Sequence, residues 1–322
     1  MRRRDFLGLA LAGGALASLP ARGAKAAANG SSAIKEIRIG YQKAGLLVAV
    51  KQRGTLEAYF NPHGIEIKWA EFAFGPPILE GIGTGNLDFG YTGDAPPIFA
   101  QAAGANLVYT SALPKHYFEA VLVPEDSPIR TLADLKGKRI GLAKASSAHT
   151  TILAALEKAG ISYQDIKPVY LPPADAAAAF SRGNIDVWAI WDPYAALAQQ
   201  QGKVRLLTSG AEVHEPSQFF LANGRFAQEH PDVLNQLNDR LAEEIKWAST
   251  HQDALSDLIH AANGIDLAAI RLANQRAHYD IFPISEETIV NQQKAADRFY
   301  KVGLLPKPVS VRDIVWKWTP GA

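Results

Sequence analysis

Ser146 and Ser147 stand side by side at the head of an apolar, helix-spaced run, with His149 two positions further on. The first amides of a helix have no partner within it and lie at the positive end of its dipole, so hydroxyls placed there complete an anion site. Ser is also an ordinary N-cap, and the pair gains meaning from its company. Three more segments share the design of a strand that ends where a helix begins: Gly40-Tyr41-Gln42-Lys43, Tyr91-Thr92-Gly93-Asp94-Ala95-Pro96-Pro97 and Trp188-Ala189-Ile190-Trp191-Asp192-Pro193-Tyr194. Ligands of open α/β sheets bind beyond the carboxyl ends of the strands. Such ends converging on a cleft would hold an oxyanion without a buried counter-ion. His149 is expected to donate a ring N–H to it, in the neutral form that a positive helix end favours.

Asp94 and Asp192 invite a paired-carboxylate reading, but capping explains them better. Each precedes proline at a helix start, where Asp caps and Pro fits the first turn, and a carboxylate facing an anion would repel it. Tyr41, Phe74, Tyr91, Trp188, Trp191 and Tyr194 gather at the same strand ends. With a strand period of two, Trp188 and Trp191 point to opposite faces; Trp191 is expected in the cleft and Trp188 in the core. An apolar wall there suits the carbon tail of an amphiphilic anion. The eight histidines show no metal-like pairing, no dinucleotide, Walker or nucleophile-elbow motif is present, and no cofactor is expected.

Composition narrows the class. The 322 residues suit two α/β lobes, and 48% hydrophobic with 20% charged residues gives ample core. A formal net charge of +1 argues against a nucleic-acid or membrane-surface binder. Without cysteine there is no lipid-attachment site, disulfide or thiol nucleophile. Arg2 to Arg4, the apolar stretch Phe6 to Leu19 and Ala24-Lys25-Ala26 read as an export signal over 1–26, with Arg3-Arg4-Asp5-Phe6-Leu7 like a twin-arginine signal. A free periplasmic monomer is expected.

Along the chain, strands at Ile37–Tyr41, Ile65–Phe72, Ile185–Trp191 and Val204–Thr208 alternate with helices over Ile78–Thr84, Ser147–Ala159, Pro172–Arg182 and Glu286–Tyr300, arguing for parallel βαβ units. From Pro231 the chain turns helical, with Leu234, Leu237, Leu241 and Ile245 on one face. No short repeat or Gly/Ser linker stands out.

These runs, together with Ile98 to Gly104, Pro173-Ala174-Asp175 and Gly183-Asn184-Ile185-Asp186, resemble the periplasmic aliphatic-sulfonate-binding proteins of ATP-driven (ABC) importers, relatives of the taurine- and nitrate-binding proteins. The resemblance implies an α/β, type II periplasmic-binding fold of two βαβ lobes around a cleft, joined by two strand crossovers. Lobe 1 would hold residues 33–118 and 218–322, and lobe 2 residues 119–217. It implies that Gln42, Gly93, Asp94, Ser146, Ser147, His149, Trp191 and Asp192 line or border the ligand site, the two carboxylates capping while their neighbours touch ligand. The partners implied are an alkanesulfonate or similar small anion and an ABC permease in the inner membrane, with no catalysis. Taurine, nitrate or a pyrimidine precursor of thiamine are the rival ligands; a sulfinate desulfinase would need a cysteine this chain lacks. Lys115-His116-Tyr117-Phe118 and Ser217-Gln218-Phe219, at the two crossings, are expected to tune the tail accepted.

Overall fold

Short apolar strands alternating with amphipathic helices assemble into two five-stranded sheets. The computed structural model describes residues 34–114 and 118–321; the export-signal segment and Lys115, His116 and Tyr117 lie outside the described residues. The first part of the chain runs β1 (Glu36–Gln42), α1 (Leu46–Arg53), α2 (Thr55–Phe60), β2 (Glu66–Phe72), α3 (Gly75–Gly83), β3 (Phe89–Gly93), α4 (Ala95–Ala102) and β4 (Leu107–Leu113). The middle follows with β5 (Glu119–Pro124), β6 (Arg139–Leu142), α5 (Ser147–Ala159), β7 (Lys167–Tyr170), α6 (Pro173–Ser181), β8 (Val187–Trp191), α7 (Tyr194–Gln200), β9 (Val204–Ser209) and α8 (Gly210–Val213). The chain then returns through β10 (Gln218–Asn223) and ends in α9 (Gly224–Glu229), α10 (Pro231–Thr250), α11 (Gln252–Asn263), α12 (Leu267–Arg276) and α13 (Glu286–Lys301).

The strand orders are β2-β1-β3-β10-β4 and β7-β6-β8-β5-β9, the same arrangement made twice. The βαβ pairs are parallel as expected, β1 with β2 and β3 and β6 with β7 and β8, and each sheet also takes in one antiparallel strand. β10 runs antiparallel to β3 and β4, and β5 antiparallel to β8 and β9. Each of these two strands follows a strand of the other sheet in chain order, so it is not the product of a βαβ crossover within its own sheet, the connection that parallel pairing requires.

A repeat hidden in the sequence also emerges. Gly85-Asn86-Leu87-Asp88 and Gly183-Asn184-Ile185-Asp186 lead into β3 and β8, each glycine at positive φ (76° and 71°). Asp88 accepts from the backbone N of Arg38 at 2.7 Å, its Nε at 2.9 Å and its Nη2 at 2.6 Å. Asp186 accepts the same three bonds from Arg139 at 2.8, 3.1 and 2.7 Å. The central strand of each sheet is thus clipped to its neighbour. Two residues past each arginine, Gly40 and Gly141 leave room for the side chains of Leu87 and Ile185, and a Cβ on Gly40 would lie 2.7 Å from Leu87 Cδ1.

Each sheet has its own core, around Phe89 and Phe220 in the first and Trp188 and Ile190 in the second. Between them α4, α5 and α13 meet through Ile98, Leu153 and Phe299. Leu234, Leu237, Leu241 and Ile245 line the buried face of α10, as their spacing predicts.

The two clips differ in exposure: the Asp88 side chain is 10% exposed and that of Asp186 32%. Solvent weakens an ion pair and eases the loss of one partner. Asp88→Ala is therefore expected to cost about 3 kcal/mol of unfolding free energy and Asp186→Ala about half that, measured by urea titration. Equal costs would contradict this ranking.

Candidate functional site

The carboxyl ends of β1, β3 and β8 and the starts of the helices that follow them enclose a cavity of about 40 Å3 between the two sheets. A single water takes roughly 10–15 Å3 by this measure, so the space fits a compact head group. Gln42, Lys43 and Gly45 approach it from β1 and α1, Gly75 from α3, Gly93 from β3, Ser146 and Ser147 from α5, and Trp191, Asp192 and Tyr194 from β8 and α7. Tyr91 and Gln218 close it on the side of β10; the Tyr91 hydroxyl is hydrogen-bonded to Gln218 Oε1.

Most of the helix starts facing this cavity share an electrostatic feature. Three of them, α1, α3 and α5, have no side-chain hydrogen bond at the N-cap and no acidic residue in the first turn, whereas the first turn of α7 is capped by Asp192 through Ala196 N. Elsewhere α9, α12 and α13 are capped by Asn223, Asp266 and Ser285. First-turn amides left without a cap keep their hydrogen-bonding capacity and their share of positive dipole potential. α4 is different: Asp94 accepts from Ala95 N at 2.7 Å, and Pro96 and Pro97 have no N–H; α3 likewise carries Pro76 and Pro77 in its first turn, so the open amides are chiefly those of α1 and α5.

Six of the eight sequence-derived residues come together here: Gln42, Gly93, Ser146, Ser147, Trp191 and Asp192. Gln42 Nε2 donates to the Tyr91 carbonyl at 3.3 Å, which fixes its amide beside the cavity. At Gly93 the two halves approach each other closely, since a Cβ built on it would lie 2.8 Å from Ser147 Cβ and 3.1 Å from Ser147 Oγ. Ser146 departs from expectation. Its N–H and its hydroxyl both point to the Ala143 carbonyl, at 3.3 and 2.7 Å, so its proton is used within its own turn. Ser147 lines the cavity beside it, at the first position of α5.

His149 and Asp94 do not line the cavity. His149 is fully buried behind the α5 start, among Phe99, Phe299, Tyr163 and Tyr170. Its Nδ1 accepts from the Ala145 N–H at 3.3 Å and its Nε2 lies 3.0 Å from the Tyr163 hydroxyl. An acceptor Nδ1 leaves the proton on Nε2, which makes the ring a neutral tautomer donating to Tyr163. Burial, aided by the Lys144 charge, pushes its pKa down to about 3. Ala145 is held at φ 59°, a left-handed conformation costly for a residue with a Cβ. His149 therefore secures the strained loop ahead of Ser146 and Ser147 and makes no contact with the cavity.

Asp94 instead joins a buried polar group beneath it. Thr150 Oγ1 of α5 donates to Asp94 Oδ1 at 2.9 Å, a bond from one sheet's helix to the other's strand end. His214 Nδ1 stands 3.9 Å from Asp94 Oδ2 and its Nε2 3.3 Å from Glu119 Oε2, which Thr151 also meets. Burial and the Glu119 charge raise Asp94 to about 7. Burial alone would lower His214, but its hydrogen bond to Glu119 and the charges of Glu119 and Asp94 raise it. Asp192 accepts from Ala196 N at 2.9 Å, as its capping role requires, and pairs with Arg276 at 3.4 Å. Burial raises it to about 6 against the pull of Arg276. Trp188, packed against Phe180, belongs to the core. Among the described residues no cluster of His, Asp or Glu is arranged to hold a metal.

Lys43, Tyr91, Tyr194 and Gln218, which also line the cavity, lie in segments named from the sequence, whereas Gly45 and Gly75 were not singled out beforehand. Gly45 carried a readable signal: its φ of 108° suits only glycine, at the junction of a strand and an apolar helix. Gln218 came from the return crossing, where sequence spacing gives no guide to what lies opposite.

Residues 41–255 match the family model described as NMT1/THI5 like. A relative in Escherichia coli (strain K12) named for aliphatic-sulfonate binding is 40% identical over 98% of both chains. The crystal structure of the periplasmic aliphatic sulphonate binding protein SsuA from Escherichia coli superposes with a TM-score of 0.81 at 39% identity, over 89% of this chain and 94% of that one. The alkanesulfonate-binding protein SsuA from Xanthomonas axonopodis pv. citri, bound to MOPS, gives 0.82 at 40%, over 88% and 98%.

The buried neutral His149 has a consequence for stability. Between its ordinary value of 6.5 and about 3, the unfolded chain binds a proton there that the folded chain refuses, so stability falls as pH falls through that window. By pH 5 the loss is about 2 kcal/mol relative to pH 8. Asp94, Asp192 and His214 act with the opposite sign, so the comparison needs a variant. In His149→Phe the change in urea unfolding free energy between pH 8 and pH 5 is expected to shift by that amount toward greater acid stability. An unchanged pH dependence would place the histidine in contact with solvent.

Proposed function

We propose, on the premise that this chain belongs to the NMT1/THI5-like family, that it is the substrate-binding component of an ABC importer and captures aliphatic sulfonates. The observation that carries the reading is the pair of helix starts α1 and α5, both uncapped and free of first-turn acids, bordering one small cavity from the two sheets. A sulfonate presents three oxygens sharing one negative charge and stays ionised across physiological pH, so it can accept from several amides at once. The relatives named for sulfonate binding have the same chemistry in their names. In this reading the protein works in the periplasm as a monomer, exported by the twin-arginine-like segment at 1–26. It delivers its ligand to an inner-membrane permease.

The two halves of the site, Gln42 and Gly93 on one side and Ser147 and Trp191 on the other, make the ligand's full set of contacts available only when the cleft is shut. A ligand that binds the shut form better shifts the population toward it, and closure needs no other cause. Asp94 and Asp192 act as supports, through Thr150 and Arg276. Taurine is less well served than a plain alkanesulfonate, because its ammonium calls for a carboxylate. Asp192 is paired with Arg276 and Glu119 with His214 and Thr151.

Calorimetric titration with ethanesulfonate, taurine, nitrate and sulfate tests the assignment. The alkanesulfonate is expected to bind most tightly, and Gly93→Ala to weaken it at least tenfold, about 1.4 kcal/mol, by setting a methyl against Ser147. Nitrate binding with no response to ethanesulfonate would replace the ligand. Wild-type affinity in Gly93→Ala would remove the shut cleft from the mechanism.

A further inference from the structure

A second cavity of about 70 Å3 lies against the first and shares Gly45, Tyr91, Asp192 and Gln218 with it. Its far wall is one stripe of α12 and its end, formed by Ile270, Ala273, Asn274 and Ala277. These spacings of three, one and three place them on a single helical face. Ile259, Leu113 and Phe118 face the stripe.

The polar groups of this wall are engaged with one another. Asn274 Nδ2 donates to Ser256 Oγ at 2.8 Å, and the Tyr279 hydroxyl donates to Asn274 Oδ1 at 2.7 Å. Arg276 reaches from α12 to Asp192 at 3.4 Å and to Gln199 Oε1 at 2.7 Å, with its guanidinium 4.1 Å from the Phe118 ring centre. The carboxylate at the partition thus has its counter-charge in place. An apolar hollow with satisfied polar groups, adjoining an anion site, is complementary to an uncharged carbon chain.

We propose that this second cavity receives the organic tail of the bound sulfonate, and that Ala273 and Ala277 set the tail it accepts. The proposal rests on the head-group reading above. Both alanines are only half-buried although they sit on an inward-facing stripe, because the hollow lies in front of them; a longer side chain at either would occupy it. The space corresponds to on the order of five waters, enough for a short linear or cyclic tail, and its wall discriminates against a second charge at the tail end.

Titration of the mature protein with linear sulfonates from ethane- to octanesulfonate tests this. Affinity is expected to rise about fourfold per methylene, equivalent to about 0.8 kcal/mol, and then to level off once the hollow is full. Ala273→Leu and, separately, Ala277→Leu are expected to weaken hexanesulfonate at least tenfold while leaving ethanesulfonate within twofold, which also shows that each variant is folded. A flat series with ethanesulfonate bound, or equal losses for both ligands in both variants, would overturn the tail assignment alone. No binding of any sulfonate to the wild type would overturn the head-group reading and this one with it.

Discussion

Helix starts left open toward one another are the constraint on which the rest of this molecule depends. Each missing cap forgoes about 1 kcal/mol of local stability, and a chain free to cap α1 and α5 as it caps α9, α12 and α13 would be the more stable for it. The open amides are tolerated because they border a cavity, and an anion there supplies the acceptors they lack. Binding then adds to folded-state stability in proportion to ligand occupancy. The same logic places Gly45, Gly75 and Gly93 at the cavity, where side chains would hold the two halves apart or cover the amides.

The rest of the architecture holds those starts opposite one another. Two sheets of identical strand order, each clipped by an Arg–Asp pair at its central strand, turn the carboxyl ends of β1, β3 and β8 toward the same space. On one flank Thr150 reaches Asp94 from α5; on the other Arg276 reaches Asp192 from α12. His149 works one step further back, pinning the Ala145 turn from within an aromatic box. Buried polar groups arranged in this way contribute more to fixing one geometry than to net stability.

Much of this could be read from the chain. α5 spans Ser147–Ala159 with Gly160 in the left-handed C-cap, as its apolar spacing and terminal glycine predict, and Trp191 and Trp188 divide between cavity and core as a strand period of two requires. What escaped was set by distant partners. Ser146 borders the cavity but turns its proton away, and His149 lies behind it, since nothing in sequence shows that Ala143 and Tyr163 take their protons. The second cavity was hidden for the same reason: the period of α12 marks an inward face but cannot show that it meets a hollow. The repeated Gly-Asn-(Leu/Ile)-Asp clip was visible as letters and gained meaning only once both copies were seen to hold an arginine.

The central claim is that a full negative charge, more than shape, is what the open helix starts hold. It is tested most directly by comparing butanesulfonate with butyl methyl sulfone, which keeps the tail and two sulfonyl oxygens but carries no charge. Calorimetry at low and moderate salt is expected to show the sulfonate binding at least a hundredfold more tightly, about 2.7 kcal/mol, with little loss on adding salt because partly buried charges are screened less than exposed ones. Equal affinity for the neutral sulfone would contradict it.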